Sequence, residues 1–182
     1  MRKVLVILAE GFEELEAVTV VDILRRARFQ VVTTGLQAGP VTASRGVTVV
    51  PDAALDAVED GVFDLVVLPG GGPGTERLRR DPRVARLVRE SLARGARVGA
   101  ICAAPVVLAE AGLLEGKRAT CYPGCLQQEQ WPGIRLTGAA VVTDGLVTTS
   151  RGPGTAMDFA LSLVELLGGR DARQGVEEGL VR

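Results

Sequence analysis

Histidine does not occur anywhere in this 182-residue sequence, and its absence excludes more chemistry than any other feature. Without imidazole there is no Ser-His-Asp or Cys-His catalysis and no histidine-ligated metal. Any proton transfer must use a carboxyl, thiol, phenol, amine or water. Aromatic residues are scarce at 3%, too few for a base-stacking surface. Charge of one sign is also lacking: 21 Lys and Arg stand against 22 Asp and Glu, a formal net charge of -1. Nucleic acid is therefore not an expected partner. Long apolar runs are missing too. The N-terminal VLVILA runs at once into Glu10, Glu13, Glu14 and Glu16, too short for a signal peptide or a membrane span, so no membrane partner is expected. Three cysteines, at 102, 121 and 125, are too few for a disulfide framework and suit a reducing cytoplasm.

What is present is 47% hydrophobic and 24% charged, the balance of one globular domain over residues 1–182 with a continuous core. Residues 3–9, KVLVILA, are nearly all apolar, as in a strand covered on both faces of a parallel sheet. A helical segment follows from about Glu13 to Ala27. Then come strand-like runs at 29–35, 46–50 and 64–70, a helix at 82–93, a strand at 96–101 and a helix at 103–111. This alternation predicts an α/β fold, a mostly parallel sheet with helices on both faces. Between two β-branched runs at 139–150, Asp144-Gly145 signals a small antiparallel hairpin. The segment RGPGTAMDFALSLVELLGG then reads as a helix, with Pro153 near its first turn and Gly168-Gly169 past its end.

Three places on this scaffold draw chemistry. Cys102 follows the apolar run RVGAI and precedes a helix, on the strand-to-helix turn where open α/β sheets bind ligands. Unpaired N–H groups there are expected to lower its pKa, and Ala100, Ala103 and Ala104 leave room for a tight nucleophile turn; the alternative is a buried structural thiol. Glu16 falls within the apolar stripe of its helix, in an arc of about 100° with Ile23, Ala27, Val20 and Leu24. A carboxyl buried there must hold a proton or find a partner, although the acids of this turn also simply favour a helix N-terminus. Pro69-Gly70-Gly71-Gly72-Pro73-Gly74 closes a strand with backbone N–H groups able to stabilise an anion, but lacks the Gly-Lys-Ser/Thr of a P-loop. Cys121 and Cys125, in CYPGC, lack a second half for a zinc site; ordinary thiols and a regulatory disulfide both stay open.

VLVILAEGFEELEA, VVDILRRA, DLVVLPGGGPG, GAICAAP and TSRGPGTAMDFAL, in this order, resemble the DJ-1/ThiJ/PfpI superfamily, specifically its DJ-1-like branch. The resemblance covers almost the whole chain. It implies a flavodoxin-like three-layer sandwich that forms a homodimer, with no metal and no cofactor. It further implies that Cys102 is an oxidation-sensitive nucleophile and that Glu16 hydrogen-bonds its sulfur as a protonated acid. The N–H groups of Gly71 and Ala103 match the anion-stabilising pair. Arg45 matches an arginine that reaches the site across the dimer interface, and Arg26 one near that interface. Gly70, Tyr122 and Pro153 complete the candidates around the pocket. Tyr122 stands where many members carry a histidine, and a phenol is a poor base at neutral pH, so proton transfer would fall to Glu16. Ala103 replaces the histidine of the peptidase branch, which disfavours peptidase activity.

The expected activity is that of a cofactor-independent glyoxalase or protein deglycase acting on methylglyoxal, glyoxal or their early adducts, with Cys102 as nucleophile and Glu16 as acid and base. Two alternatives stand beside it: an oxidative-stress redox sensor or chaperone using the oxidisable Cys102, and a family member with little catalytic activity.

Overall fold

The computed structural model describes residues 1–182. In chain order the elements are β1 (Lys3–Leu8), α1 (Glu14–Arg26), β2 (Gln30–Gly35), β3 (Val41–Thr42), β4 (Thr48–Val49), β5 (Ala53–Ala54), β6 (Leu65–Leu68), α2 (Gly72–Arg80) and α3 (Pro82–Ala93). They continue with β7 (Arg97–Ile101), α4 (Pro105–Glu110), β8 (Arg118–Ala119), β9 (Arg135–Leu136), β10 (Val141–Asp144), β11 (Val147–Ser150), α5 (Ala156–Gly168) and α6 (Arg170–Gly179). Seven strands form one sheet in the order β10-β11-β7-β6-β1-β2-β5. All its pairings are parallel except β10 with β11.

The side-chain alternation of a strand explains the three layers. From β1, Val4, Val6 and Leu8 point into a core shared with Val20, Ile23 and Leu24 of α1 and Phe159 and Leu163 of α5. Leu5 and Ile7 point the other way, into a core with Leu78 of α2, Leu87 and Val88 of α3 and Leu108 of α4. Both faces of β1 are thus covered, which is why its sequence is a continuous apolar run.

Several expectations need correction. The segment 46–50 does not enter the main sheet. It contributes β4 to a two-stranded antiparallel ribbon with β3, pairing Val41 with Val49 and Thr42 with Thr48. The hairpin turn is Gly145-Leu146 rather than Asp144-Gly145, because Asp144 still pairs with Val147 and Gly145 takes the positive φ of 62°. The helix expected at 103–111 begins only at Pro105, after the turn Cys102 to Ala104. Gly168 ends α5 inside the helix, and Gly169, at φ 85°, is the hinge into α6. Neither α2 nor α6 was expected. The first turn of α2 is built from Gly72, Pro73 and Gly74, which read as a loop, and α6 buries only Val176.

Candidate active site

The carboxyl ends of β1, β6, β7 and β11 meet at one edge of the sheet, and Cys102 sits there. Its backbone is left-handed, φ 64°, a conformation that costs a non-glycine residue energy and turns its side chain sharply off the strand. Two hydrogen bonds lock it: the Cys102 N–H donates to Ser150 O at 2.9 Å, and the Tyr122 N–H donates to Cys102 O at 2.8 Å. The backbone N–H groups of Gly71 and Ala103 lie near the sulfur and favour its charged form. The residue is 8% exposed, so it is almost wholly covered by the surrounding chain.

Glu16 reaches the same place from α1. It is 0% exposed, one of eight buried polar or charged residues and the only carboxylate among them. Glu13 caps α1, its carboxylate accepting the Glu16 N–H at 2.8 Å, which fixes the first turn and aims Glu16 inward. Oε2 accepts the Gly70 N–H at 2.7 Å. Oε1 has no hydrogen bond of good geometry from any N–H or O–H group, leaving the Cys102 thiol beside the carboxyl as its remaining polar neighbour.

The two groups titrate as a pair. Burial pushes the Glu16 carboxyl up to about 7, against the pull of the Gly70 N–H and the Cys102 thiol, and the Glu13 carboxylate adds to the rise. Burial also pushes the Cys102 thiol up, to about 12, with the Glu16 carboxylate adding to it and the Gly71 and Ala103 N–H groups opposing it. Burial and the facing Glu16 carboxylate thus oppose the lowering of the thiol expected at a helix N-terminus. Two negative charges in this slot are the costly state, so the pair retains one proton over a wide range. That proton has two homes. Either the thiol faces a carboxylate, or a carboxylic acid faces a thiolate held by the N–H groups of Gly71 and Ala103.

Gly70 and Gly71 make the meeting sterically possible. Gly71 has φ 91°, and a Cβ there would stand 2.4 Å from Gly11 O and 2.7 Å from Glu13 N. The loop after β6 is therefore pressed directly onto the loop after β1, and no side chain fits between them.

The other candidates lie at different distances from this centre. Tyr122 is half exposed beside the site, its ring against the backbone of Gly152, where a Cβ would stand 3.3 Å from the ring. Pro153 follows in a short 3-10 turn leading into α5. Arg45 is exposed on the β3–β4 connection, and its guanidinium has no ion pair within the chain; its backbone N–H donates to Glu14 Oε1 at 2.9 Å. Arg26 is not at the site: it pairs with Asp22 at 2.8 Å near the end of α1. Cys121 and Cys125 are free thiols. No group of three or more Cys, Asp or Glu side chains stands close enough to hold a metal ion. That the Ser150 carbonyl holds Cys102 and that Glu14 anchors the turn carrying Arg45 is not legible in the sequence, because both contacts join residues far apart in the chain.

Comparison with known proteins gives a consistent result. The model of the DJ-1/PfpI family matches residues 2–166. Protein dj-1beta of Drosophila melanogaster is 42% identical over 181 residues, 99% of this chain and 97% of that protein. Glutathione-independent glyoxalase DJR-1.2 of Caenorhabditis elegans is 38% identical over 160 residues, 88% of this chain and 85% of that protein. Among solved structures, Drosophila melanogaster DJ-1beta superposes with a TM-score of 0.94, covering 99% of this chain and 97% of that one at 42% identity. The oxidised form of Toxoplasma gondii DJ-1 superposes with a TM-score of 0.92 at 35% identity, covering 100% of this chain and 98% of that one. With the family model spanning most of the sequence and the fold reproduced over nearly its full length, the chain belongs to the DJ-1/PfpI family.

Proposed function

We propose that the protein is a cofactor-independent glyoxalase that converts methylglyoxal or glyoxal, free or as early adducts, to the corresponding hydroxy acid. The observation that carries this reading is the buried pair itself: a carboxyl pushed up to about 7, anchored by the Gly70 N–H and placed beside a thiol near the backbone N–H groups of Gly71 and Ala103. The relative named a glutathione-independent glyoxalase supports the substrate class.

In the reactive form Glu16 is protonated and Cys102 is a thiolate. The sulfur adds to the aldehyde carbon, and the new oxyanion, stabilised by the Gly71 and Ala103 N–H groups, takes the Glu16 proton to give a hemithioacetal. Glu16, now a carboxylate, removes the proton from that carbon and returns it to the neighbouring carbonyl carbon, while the hydroxyl proton passes to the second oxygen. A thioester of the hydroxy acid results. Water, giving a proton to Glu16, attacks the thioester and expels the thiolate, restoring the starting pair. A carboxyl with a value near neutrality suits both directions of transfer.

The assembly that performs this is a homodimer. Leu15 and Val18 of α1 are each 51% exposed, Val47 49% and Val50 78%. A groove between Val18, Val21, Val49 and Val50 runs through this apolar surface. A second copy seated there would cover it and bring an unpaired arginine toward the rim of the facing site.

Turnover of methylglyoxal tests the reading. Wild-type activity should vanish in Cys102→Ser and in Glu16→Gln, with the fold retained; absence of turnover by wild-type protein at high concentration removes it. A redox-sensor role is the second reading, favoured by the N–H groups around the sulfur and by the oxidised Toxoplasma relative. Mild peroxide should then oxidise Cys102 before Cys121 or Cys125, and the reverse order in mass spectra refutes it.

A further inference from the structure

Cys121 and Cys125 take no part in the chemistry at Cys102, yet the fold holds them as a pair. After β8, the Thr120 N–H is tied to Thr149 Oγ1 at 2.9 Å, and the chain then reverses through Tyr122-Pro123-Gly124-Cys125. The Cys125 N–H donates to Tyr122 O at 3.0 Å, and Gly124 has φ 87° with proline before it. These are the marks of a type II turn, whose ends lie within about 7 Å. Cys121 stands one residue before this turn and Cys125 closes it, so the reversal brings the two flanks of the turn back toward each other. Burial pushes the Cys121 thiol up, opposed by the Leu126 N–H on the peptide that follows Cys125, which puts that peptide near the Cys121 sulfur. Burial pushes the Cys125 thiol up, and a charge on Cys121 adds to the rise. Both residues are half-buried, on a segment whose tip, Tyr122 to Gly124, is exposed.

We propose that Cys121 and Cys125 form a dithiol–disulfide couple that closes by exchange with small disulfides of the glutathione class. One cysteine thiolate attacks a sulfur of the small disulfide, forming a mixed disulfide and releasing one small thiolate. The second cysteine thiolate attacks the protein sulfur of that mixed disulfide, the intramolecular S–S bond forms and the second small thiolate leaves. The two protons given up by the cysteines end on the two released thiols, and the cysteines lose the two electrons that the small disulfide gains. Closure requires the two side chains to turn toward each other across Tyr122-Pro123-Gly124. Burial pushes both thiols up, which slows attack on peroxide and on small disulfides alike and leaves the reduced form without the thiolate stabilisation that makes a couple strongly oxidising, so closure is read at equilibrium with the surrounding thiol–disulfide poise. The ring so formed contains Tyr122, whose N–H holds the Cys102 carbonyl.

Mass spectrometry of the full chain decides this. The protein is equilibrated in mixtures of reduced and oxidised glutathione, quenched by alkylation and cut with trypsin. Residues 119–135 carry both Cys121 and Cys125 on one peptide, whereas Cys102 falls on residues 98–117. As the oxidised fraction rises, peptide 119–135 should appear unalkylated and lighter by two hydrogen atoms, and dithiothreitol should reverse the change. In Cys125→Ser the ring cannot close, and Cys121 should carry glutathione instead. The proposal is overturned if both thiols stay open to alkylation, if each carries glutathione without closing, or if either is cross-linked to Cys102. Because no turnover is measured, its failure leaves the glyoxalase reading untouched, and the converse also holds.

Discussion

A Cβ on Gly70 would stand 2.6 Å from Cβ of Cys102 and 2.8 Å from Oε2 of Glu16. The same residue supplies the N–H that anchors Glu16. Gly70 is therefore the floor on which the acid and the thiol meet, and its missing side chain is the space they share. Its φ does not lie in the left-handed region, so alanine is excluded by crowding alone.

Gly70→Ala should separate the pair. Overpacking of this kind costs about 1–3 kcal/mol, and displacing a reacting group by about 1 Å costs about a hundredfold in rate. A melting curve together with methylglyoxal turnover checks both; an alanine variant with wild-type activity would show that the contact yields without consequence.

The pH dependence of turnover follows from the shared proton. Below about 7 both groups of the pair are protonated, and from about 7 to about 12 they hold one proton between them. With the one-proton pair as the reactive form, kcat/KM should climb about tenfold per pH unit on the acid side and level off near neutrality. A profile whose acid limb lies near pH 4 to 5 would mean that Glu16 is an ordinary carboxylate.

Stability should carry the opposite imprint. The folded value of Glu16 lies above its ordinary 4.5, so the folded chain binds an extra proton between 4.5 and about 7. The contribution of Glu16 is whole below pH 4.5 and is lost as the pH rises through about 7, by at most about 3 kcal/mol. Glu16→Gln, which keeps an acceptor for the Gly70 N–H, removes this titration. Urea unfolding at pH 5 and pH 8 should show wild type losing stability relative to the variant; parallel curves would contradict the raised carboxyl.

The outer face of α1 offers a check on assembly. Val18 is half exposed in the single chain, so Val18→Asp leaves the monomer core intact while placing like charges against each other in a dimer. Sedimentation should give a dimer for wild type and a monomer for the variant. Equal masses for the two proteins would move the interface away from this surface or abolish it.

Much of this was written locally. The apolar runs of β1, β6 and β7, the acid within the stripe of α1 and the thiol on a strand-to-helix turn are each visible within about ten residues of sequence. Helix and strand leave a period in the pattern, and a buried charge breaks it. α2 was hidden by its glycines and proline, and α6 by a surface so polar that only Val176 is buried. The β3–β4 ribbon was hidden because two-residue strands carry no period.

The sequence by itself determined which side chains the layers bury and which residues have the chemistry. Only the tertiary structure decided that Glu16 and Cys102 stand together, because that depends on β6 lying between β1 and β7 in the sheet and on Gly70 and Gly71 letting two loops touch. It also decided the direction in which the thiol is pushed. A helix N-terminus is legible in a few residues, but desolvation is summed over every atom that surrounds the sulfur, and those atoms come from all parts of the chain.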